Sequence, residues 1–104
     1  MMRSAALLAA LGCLAGAAKA QSPAPAKAQQ CFVCHGALGL STAPDAPNLA
    51  GQPRIYLVAQ MKQFRTGKRA SEVMNVIAKP LSDEEIEALA DWYASIRISA
   101  APAK

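Results

Sequence analysis

The sequence predicts an all-α fold for the part of the chain that follows its apolar N-terminus. Apolar residues recur at intervals of three and four over residues 53–66 and 82–98, which is helical spacing. Strict alternation of apolar and polar residues, the pattern of a half-buried strand, is not seen. With 104 residues, 53% of them apolar and 17% charged, the chain has the composition of one ordered domain at most.

The first twenty residues have the three parts of a secretory signal peptide. Arg3 gives a positive start, residues 4–18 form an uncharged apolar core, and Ala18 and Ala20 are small residues where signal peptidase cleaves. We therefore predict a signal peptide over residues 1–20 that is cleaved after Ala20. The core is shorter than the ~20 residues that span a bilayer, so an uncleaved anchor is the less favoured alternative. Lipid attachment at Cys13 is another.

Cleavage would leave residues 21–104, of which 21–30 are predicted to be a flexible N-terminal spacer because they begin rich in Pro and Ala. Of the eleven basic residues, Arg3 and Lys19 would be lost, and nine against seven acidic residues leave a net charge of +2. No Arg-rich run with interleaved aromatic residues supports nucleic-acid binding. A domain this small has a thin core and usually needs a disulfide, a metal or a cofactor.

A short helix around residues 26–33 is predicted to lead into a motif formed by Cys31, Cys34 and His35. This C-x-x-C-H pattern is the attachment signature of c-type haem. Two thiols at this spacing reach the two vinyl groups of one porphyrin, and the adjacent histidine supplies an axial nitrogen to the iron. The motif occurs once, which predicts one haem, covalently bound through Cys31 and Cys34.

Three other interpretations of the motif carry less weight. A redox disulfide of the thioredoxin type would lie among strands, and none is predicted here. Half of a zinc site would need further ligands, but residues 21–104 contain no other Cys or His. A plain structural disulfide would leave His35 without a role.

The rest of the chain is predicted to form loops and helices in turn. Residues 36–52, rich in Gly, Pro, Ser and Asn, form a loop along one side of the cofactor. Pro53 lies in the first turn of the next helix, which ends at Gly67. Its apolar stripe consists of Ile55, Val58, Met61 and Phe64, with Leu57 beside them. Residues 68–80 form a second loop or short helix.

Ser82 begins the last helix, because Ser82 and Glu85 have the spacing of a capping box. The helix is expected to extend to about Ile98, and residues 99–104 form a frayed tail. Its predicted buried stripe is Ile86, Leu89, Ala90, Tyr93 and Ile96.

Residues 21–104 offer two thioether ligands for the second axial position of the iron, Met61 and Met74. Met61 lies within the apolar stripe of a predicted helix, which favours a role in the core. Met74 lies in a loop-like segment, from which a side chain can approach the iron without displacing a helix. Met74 is therefore the preferred ligand, with an open or water-ligated iron as the alternative.

Several motifs in a fixed order make the chain resemble a class I cytochrome c. More closely, it resembles one half of the diheme periplasmic cytochromes of subclass four, or their single-haem relatives. The resemblance covers residues 31–96, with these matching segments: CFVCHG at 31–36, PNLAGQ at 47–52, Tyr56-Leu57 with Gln60, Phe64-Arg65, Gly67 and Arg69, Met74 with Ile77-Ala78, and Leu81-Ser82-Asp83 with Leu89-Ala90 and Tyr93.

The resemblance implies a small cytochrome c fold of about four helices around one haem, with a domain that we place at residues 31–98. It implies His35 and Met74 as the axial ligands. It also implies that the Pro47 carbonyl accepts a hydrogen bond from the non-ligating nitrogen of His35, which would orient the ring.

Six-coordinate His/Met iron has no position left for a substrate, so we expect one-electron transfer and no enzymatic activity. The expected protein is a periplasmic carrier that exchanges electrons with redox proteins, as a monomer or weak homodimer. A haem subunit bound permanently to a periplasmic dehydrogenase or oxidase is one alternative, and a ligand-binding haem protein is the other if Met74 does not bind the iron. Residues 54–79 carry six basic residues and one acidic residue, and residues 83–91 carry five acids. This asymmetry predicts steering of an acidic partner.

Overall fold

The structure, a computed structural model, describes residues 1, 5–16 and 21–104. A 3₁₀ turn over Ala26–Ala28 continues into α1 (Gln29–His35), and α2 (Arg54–Thr66), α3 (Met74–Ala78) and α4 (Asp83–Ser95) follow. The described part of the chain contains no strand, which confirms the predicted all-α fold. Arg3, Ala18 and Ala20, on which the signal-peptide prediction rests, lie outside the described residues.

α4 contributes more buried residues to the core than any other helix. The Ser82 hydroxyl accepts a hydrogen bond from the Glu85 backbone N–H, and the Glu85 carboxylate accepts one from the Ser82 N–H, both at 3.1 Å. The predicted capping box is therefore present, and it satisfies two N–H groups that a helix start leaves unpaired. The helix ends at Ser95, earlier than predicted, because Ile96 has an extended backbone with ψ 122°. The buried face of α4 consists of Ile86, Leu89, Ala90, Trp92 and Tyr93.

α2 packs against both α3 and α4. Its predicted apolar stripe is wrong in one member, since Ile55 is 81% exposed whereas Leu57 is buried. At 100° per residue these two side chains lie on opposite sides of a helix, so both cannot face one core. Met61 lies on the Leu57 side of the helix, and both Met61 and Val58 pack against the core cluster.

The ends of α2 differ in how well they were predicted. Gly67 ends the helix in the left-handed conformation, with φ 81°, as expected for a C-terminal glycine. Pro53 is the N-cap residue, so it lies just before the helix rather than within its first turn.

Residues 21–30 lie against α4, whereas the sequence predicted a flexible spacer. The Trp92 indole N–H donates to the Ser22 carbonyl at 2.9 Å, and Lys27 forms an ion pair with Glu85 at 3.4 Å. Ala28 is fully buried. Small Ala side chains allow this close approach, so the composition that suggested a spacer also allows the segment to pack.

Candidate haem-binding site

The motif residues all lie on α1, near its C-terminal end. Cys31 and Cys34 are half-buried free thiols that no disulfide joins. Residues three apart lie on the same side of a helix, so the two thiols share one face of α1. Burial raises the pKa of the Cys31 thiol, and the nearby Tyr93 hydroxyl partly offsets this rise. That hydroxyl is itself buried without a hydrogen bond of normal geometry among the described residues.

His35 is the last residue of α1, and its side chain is buried. Its Nδ1 lies 2.8 Å from the Pro47 carbonyl oxygen, a hydrogen bond in which Nδ1–H donates. The neutral ring then keeps its lone pair on Nε2, which is the atom left for a metal. The contact that the family resemblance implied is present in the structure. Its role toward an iron stays a prediction.

The loop that carries Pro47 is fastened to the end of α1. Gly36 turns the chain with φ 78°, and a side chain there would collide with the Leu40 backbone. The Ser41 hydroxyl donates to the Cys34 carbonyl at 3.1 Å, and the Asn48 side-chain oxygen accepts from the Ser41 N–H at 2.6 Å. Ser41 and Asn48 therefore hold the loop beside His35. Sequence reasoning missed both, although the clustering of Ser and Asn among glycines was a signal for side-chain bonds to backbone.

Met74 lies apart from these groups, as the first residue of α3, and is half-buried. α3 packs against α2, and no Cα of α3 lies within 8 Å of a Cα of α1. The structure thus brings Cys31, Cys34, His35 and Pro47 together and places Met74 on a separate element. If His35 and Met74 both bound the iron of a haem, they would approach it from two different elements of the chain.

The residues present fit a c-type haem in their chemistry. Two free thiols can form thioethers, a buried histidine has one nitrogen oriented by a carbonyl, and a thioether is available from another element. Met61, the alternative thioether, packs against the core of the domain.

The model of the cytochrome c family matches residues 23–97, which is most of the chain. The chain belongs to the cytochrome c family. Membership means a covalently bound c-type haem, and Cys31, Cys34 and His35 stand in the arrangement that binds it. The predicted resemblance to the family is confirmed, and so is the predicted cofactor.

Relatives of this cytochrome c include two proteins of about twice its length. It is 42% identical over 104 residues to the thiosulfate dehydrogenase electron acceptor of Thiomonas intermedia, covering 98% of this chain and 48% of that protein. It is 42% identical over 86 residues to cytochrome c4 of Pseudomonas aeruginosa, covering 83% and 43%. The chain thus spans about half the length of these curated relatives.

A solved structure of cytochrome c4 from Acidithiobacillus ferrooxidans matches with a TM-score of 0.60 and 35% identity, over 64% of this chain and 38% of that one. These findings support electron transfer through a c-type haem. Within the described ranges, no helix has the length and apolar character needed to cross a membrane.

Proposed function

We propose that this cytochrome c is a periplasmic one-electron carrier whose haem iron is bound by His35 and Met74. The observation that carries the proposal is the hydrogen bond from His35 Nδ1 to the Pro47 carbonyl, which leaves Nε2 for the iron. When bound, the haem supplies a one-electron change between iron(III) and iron(II). The Cys31 and Cys34 thioethers keep it attached to a domain too small to enclose it fully.

The two proposed ligands favour opposite oxidation states. The hydrogen bond to Pro47 would make the His35 ring a stronger electron donor to the iron, which favours iron(III). A methionine thioether is a weak donor, and its use as a ligand raises the reduction potential. With both in place no iron position is left for a substrate, so we propose a carrier and not an enzyme.

The proposed location and partners rest on the sequence and on one relative. Residues 1–20 have the pattern of an export signal, and haem is attached to such proteins outside the cytoplasm. A relative is named for accepting electrons from thiosulfate dehydrogenase. We propose that this chain likewise accepts electrons from an oxidising enzyme and passes them to another redox protein.

Matched substitutions test the Met74 assignment. Met74→Leu and Met61→Leu both replace a thioether by an apolar group of similar volume. The ferric wild type should show the weak sulfur-to-iron charge-transfer band of a low-spin haem, and Met74→Leu should lose it while Met61→Leu keeps it. A wild type without the band would remove Met74 from the iron and favour a ligand-binding haem protein. A band that survives Met74→Leu but is lost in Met61→Leu would assign the iron to Met61 instead.

A further inference from the structure

The loop between α2 and α3 is closed by the side chain of one residue, Asn75. Its Nδ2 donates to the Phe64 carbonyl at 2.8 Å and to the Arg69 carbonyl at 2.9 Å, and its Oδ1 accepts from the Ser71 N–H at 2.7 Å. Both donor hydrogens of the amide are used, together with one acceptor position. Two carbonyls and one N–H define the orientation of this amide, and an Asp carboxylate could not satisfy the two carbonyls.

Met74, the residue before Asn75, depends on the same contacts. Its N–H donates to the Ser71 hydroxyl at 3.1 Å, and the Asn75 N–H donates to the Ser71 carbonyl at 3.0 Å. α3 has only five residues, too few to form a stable helix alone. The placement of α3 against the end of α2 therefore relies on bonds made by Asn75 and Ser71.

We propose that Asn75 is a positioning residue for Met74. Its amide holds the backbone beside Met74 in one conformation. The thioether can then remain bound to the iron when another ligand competes for it. This inference rests on the proposed function, in which Met74 is the distal ligand. The physical basis is conformational. A segment with fewer bonds populates more conformations in which Met74 has left the iron, and each of these admits another ligand.

Imidazole binding to the ferric holoprotein tests the proposal, because imidazole competes with Met74 for the iron. Asn75→Ala removes three hydrogen bonds, and we expect it to raise the apparent imidazole affinity by about tenfold or more. The sulfur-to-iron band should also disappear on heating well before the helical circular-dichroism signal does. In the wild type the two transitions should lie closer together.

Ser82→Ala is the matched control, since it removes the capping box of α4 and destabilises the domain without touching the loop. We expect it to lower the unfolding temperature while leaving the imidazole affinity within about twofold of wild type. This control distinguishes a general loss of stability, which lowers the unfolding temperature, from a release of Met74, which raises the imidazole affinity.

Two milder variants apply if Asn75→Ala does not fold. Asn75→Asp keeps the shape and the acceptor but cannot donate to the Phe64 and Arg69 carbonyls, and Ser71→Ala removes the partner of the Met74 N–H. Both should raise imidazole affinity. If all the folded variants bind imidazole as Ser82→Ala does, the positioning role is overturned while Met74 ligation stands. If the wild type lacks the sulfur-to-iron band, the proposed function fails, and this inference fails with it.

Discussion

The hydrogen bond between His35 and Pro47 belongs to the backbone of position 47, so a substitution can loosen it without deleting the acceptor. Pro47→Ala keeps the carbonyl but frees the φ angle that the pyrrolidine ring restricts. A weaker hydrogen bond would make the ring a weaker electron donor to the iron and favour iron(II). We expect the reduction potential to rise by roughly 20 mV, equivalent to about half a kcal/mol for one electron.

Voltammetry of the holoprotein measures this shift, and Pro44→Ala is the control, because Pro44 lies in the same loop and makes no bond to His35. An equal shift in both variants would mean that general loosening of the loop moves the potential. An unchanged potential in Pro47→Ala would contradict a tuning role for this bond.

The residues of the site differ in how far the sequence could predict them. Cys31, Cys34 and His35 could be predicted because their chemistry depends on local spacing alone. Pro47 could be predicted only through the family resemblance, because its contact with His35 depends on the path of a loop. The bonds of Asn75 were not predicted for the same reason, because its partners lie up to eleven residues away on another element.

At the scale of elements, the start of α4 and the end of α2 were predictable because a capping box and a glycine act locally. The buried face of α2 was not predictable, because helical spacing gives the period of an apolar stripe but not which side of the helix packs against the core. Ile55 was misplaced for that reason. The packing of residues 21–30 also depends on a distant residue, Trp92, which composition does not reveal.

Trp92 joins the N-terminal segment to the core. Its ring contacts Phe32 and Tyr93 at centroid distances of 6.2 and 4.7 Å, and its N–H donates to Ser22. Trp92→Phe keeps an aromatic ring but removes the donor and part of the packed surface. We expect the free energy of unfolding of the holoprotein to fall by about 1–2 kcal/mol in guanidinium titrations.

A double-mutant cycle separates the hydrogen bond from the packing. In a chain that lacks residues 21–25, Trp92→Phe should cost less, by about 1 kcal/mol, because Ser22 is no longer present. If Trp92→Phe lowered the free energy of unfolding equally in both chains, the hydrogen bond from Trp92 to Ser22 would not hold the N-terminal segment in place.

The first turn of α4 carries two carboxylates whose pKa values are lowered. The hydrogen bond from Arg65, with the charge of Lys62, lowers the pKa of Asp83, and the hydrogen bond from the Ser82 backbone lowers that of Glu85. Because the pKa is lower in the folded state, this stabilisation is complete above the ordinary carboxyl range near pH 4 and is lost as the pH falls through it.

The guanidinium midpoint of the ferric holoprotein should therefore fall between about pH 5 and pH 3, and less so in the double variant Asp83→Asn with Glu85→Gln. Asp45→Asn is the control, an exposed loop carboxylate outside the ion pairs of the described residues. If the double variant falls as steeply as wild type, other groups cause the acid sensitivity.

Across the whole molecule, the structure changes how the charge asymmetry is interpreted. Much of the basic segment is neutralised by α4, since Arg54 pairs with Glu87 and Asp91, and Arg65 pairs with Asp83 at 2.6 Å. Arg69 lies over the Phe64 ring, 4.6 Å from its centroid. Three basic side chains of residues 54–79 form no ion pair among the described residues: Lys68, Arg69 and Lys79. They lie on both sides of Met74 in the sequence.

This residual charge leads to the last prediction, that an anionic partner is steered by Lys68 and Lys79. The probe is hexacyanoferrate(II), a small anion that reduces the ferric holoprotein. The double variant Lys68→Glu with Lys79→Glu should lower its second-order rate constant at low salt by about threefold to tenfold, and the difference should shrink as salt screens the charges. Stopped-flow absorbance measures these rates, with the reduction potential of each variant determined alongside.

The matched control is Arg97→Glu with Lys104→Glu, which changes the net charge equally but outside residues 54–79. Haem propionates and net charge act alike in both double variants, so any difference between them reports the local field at residues 68–79. If the local field steers the anion, the rate constant at low salt should fall more in the Lys68 and Lys79 variant than in the control. Equal losses would assign the steering to total charge, and the flanks of Met74 would then have no special part in partner approach.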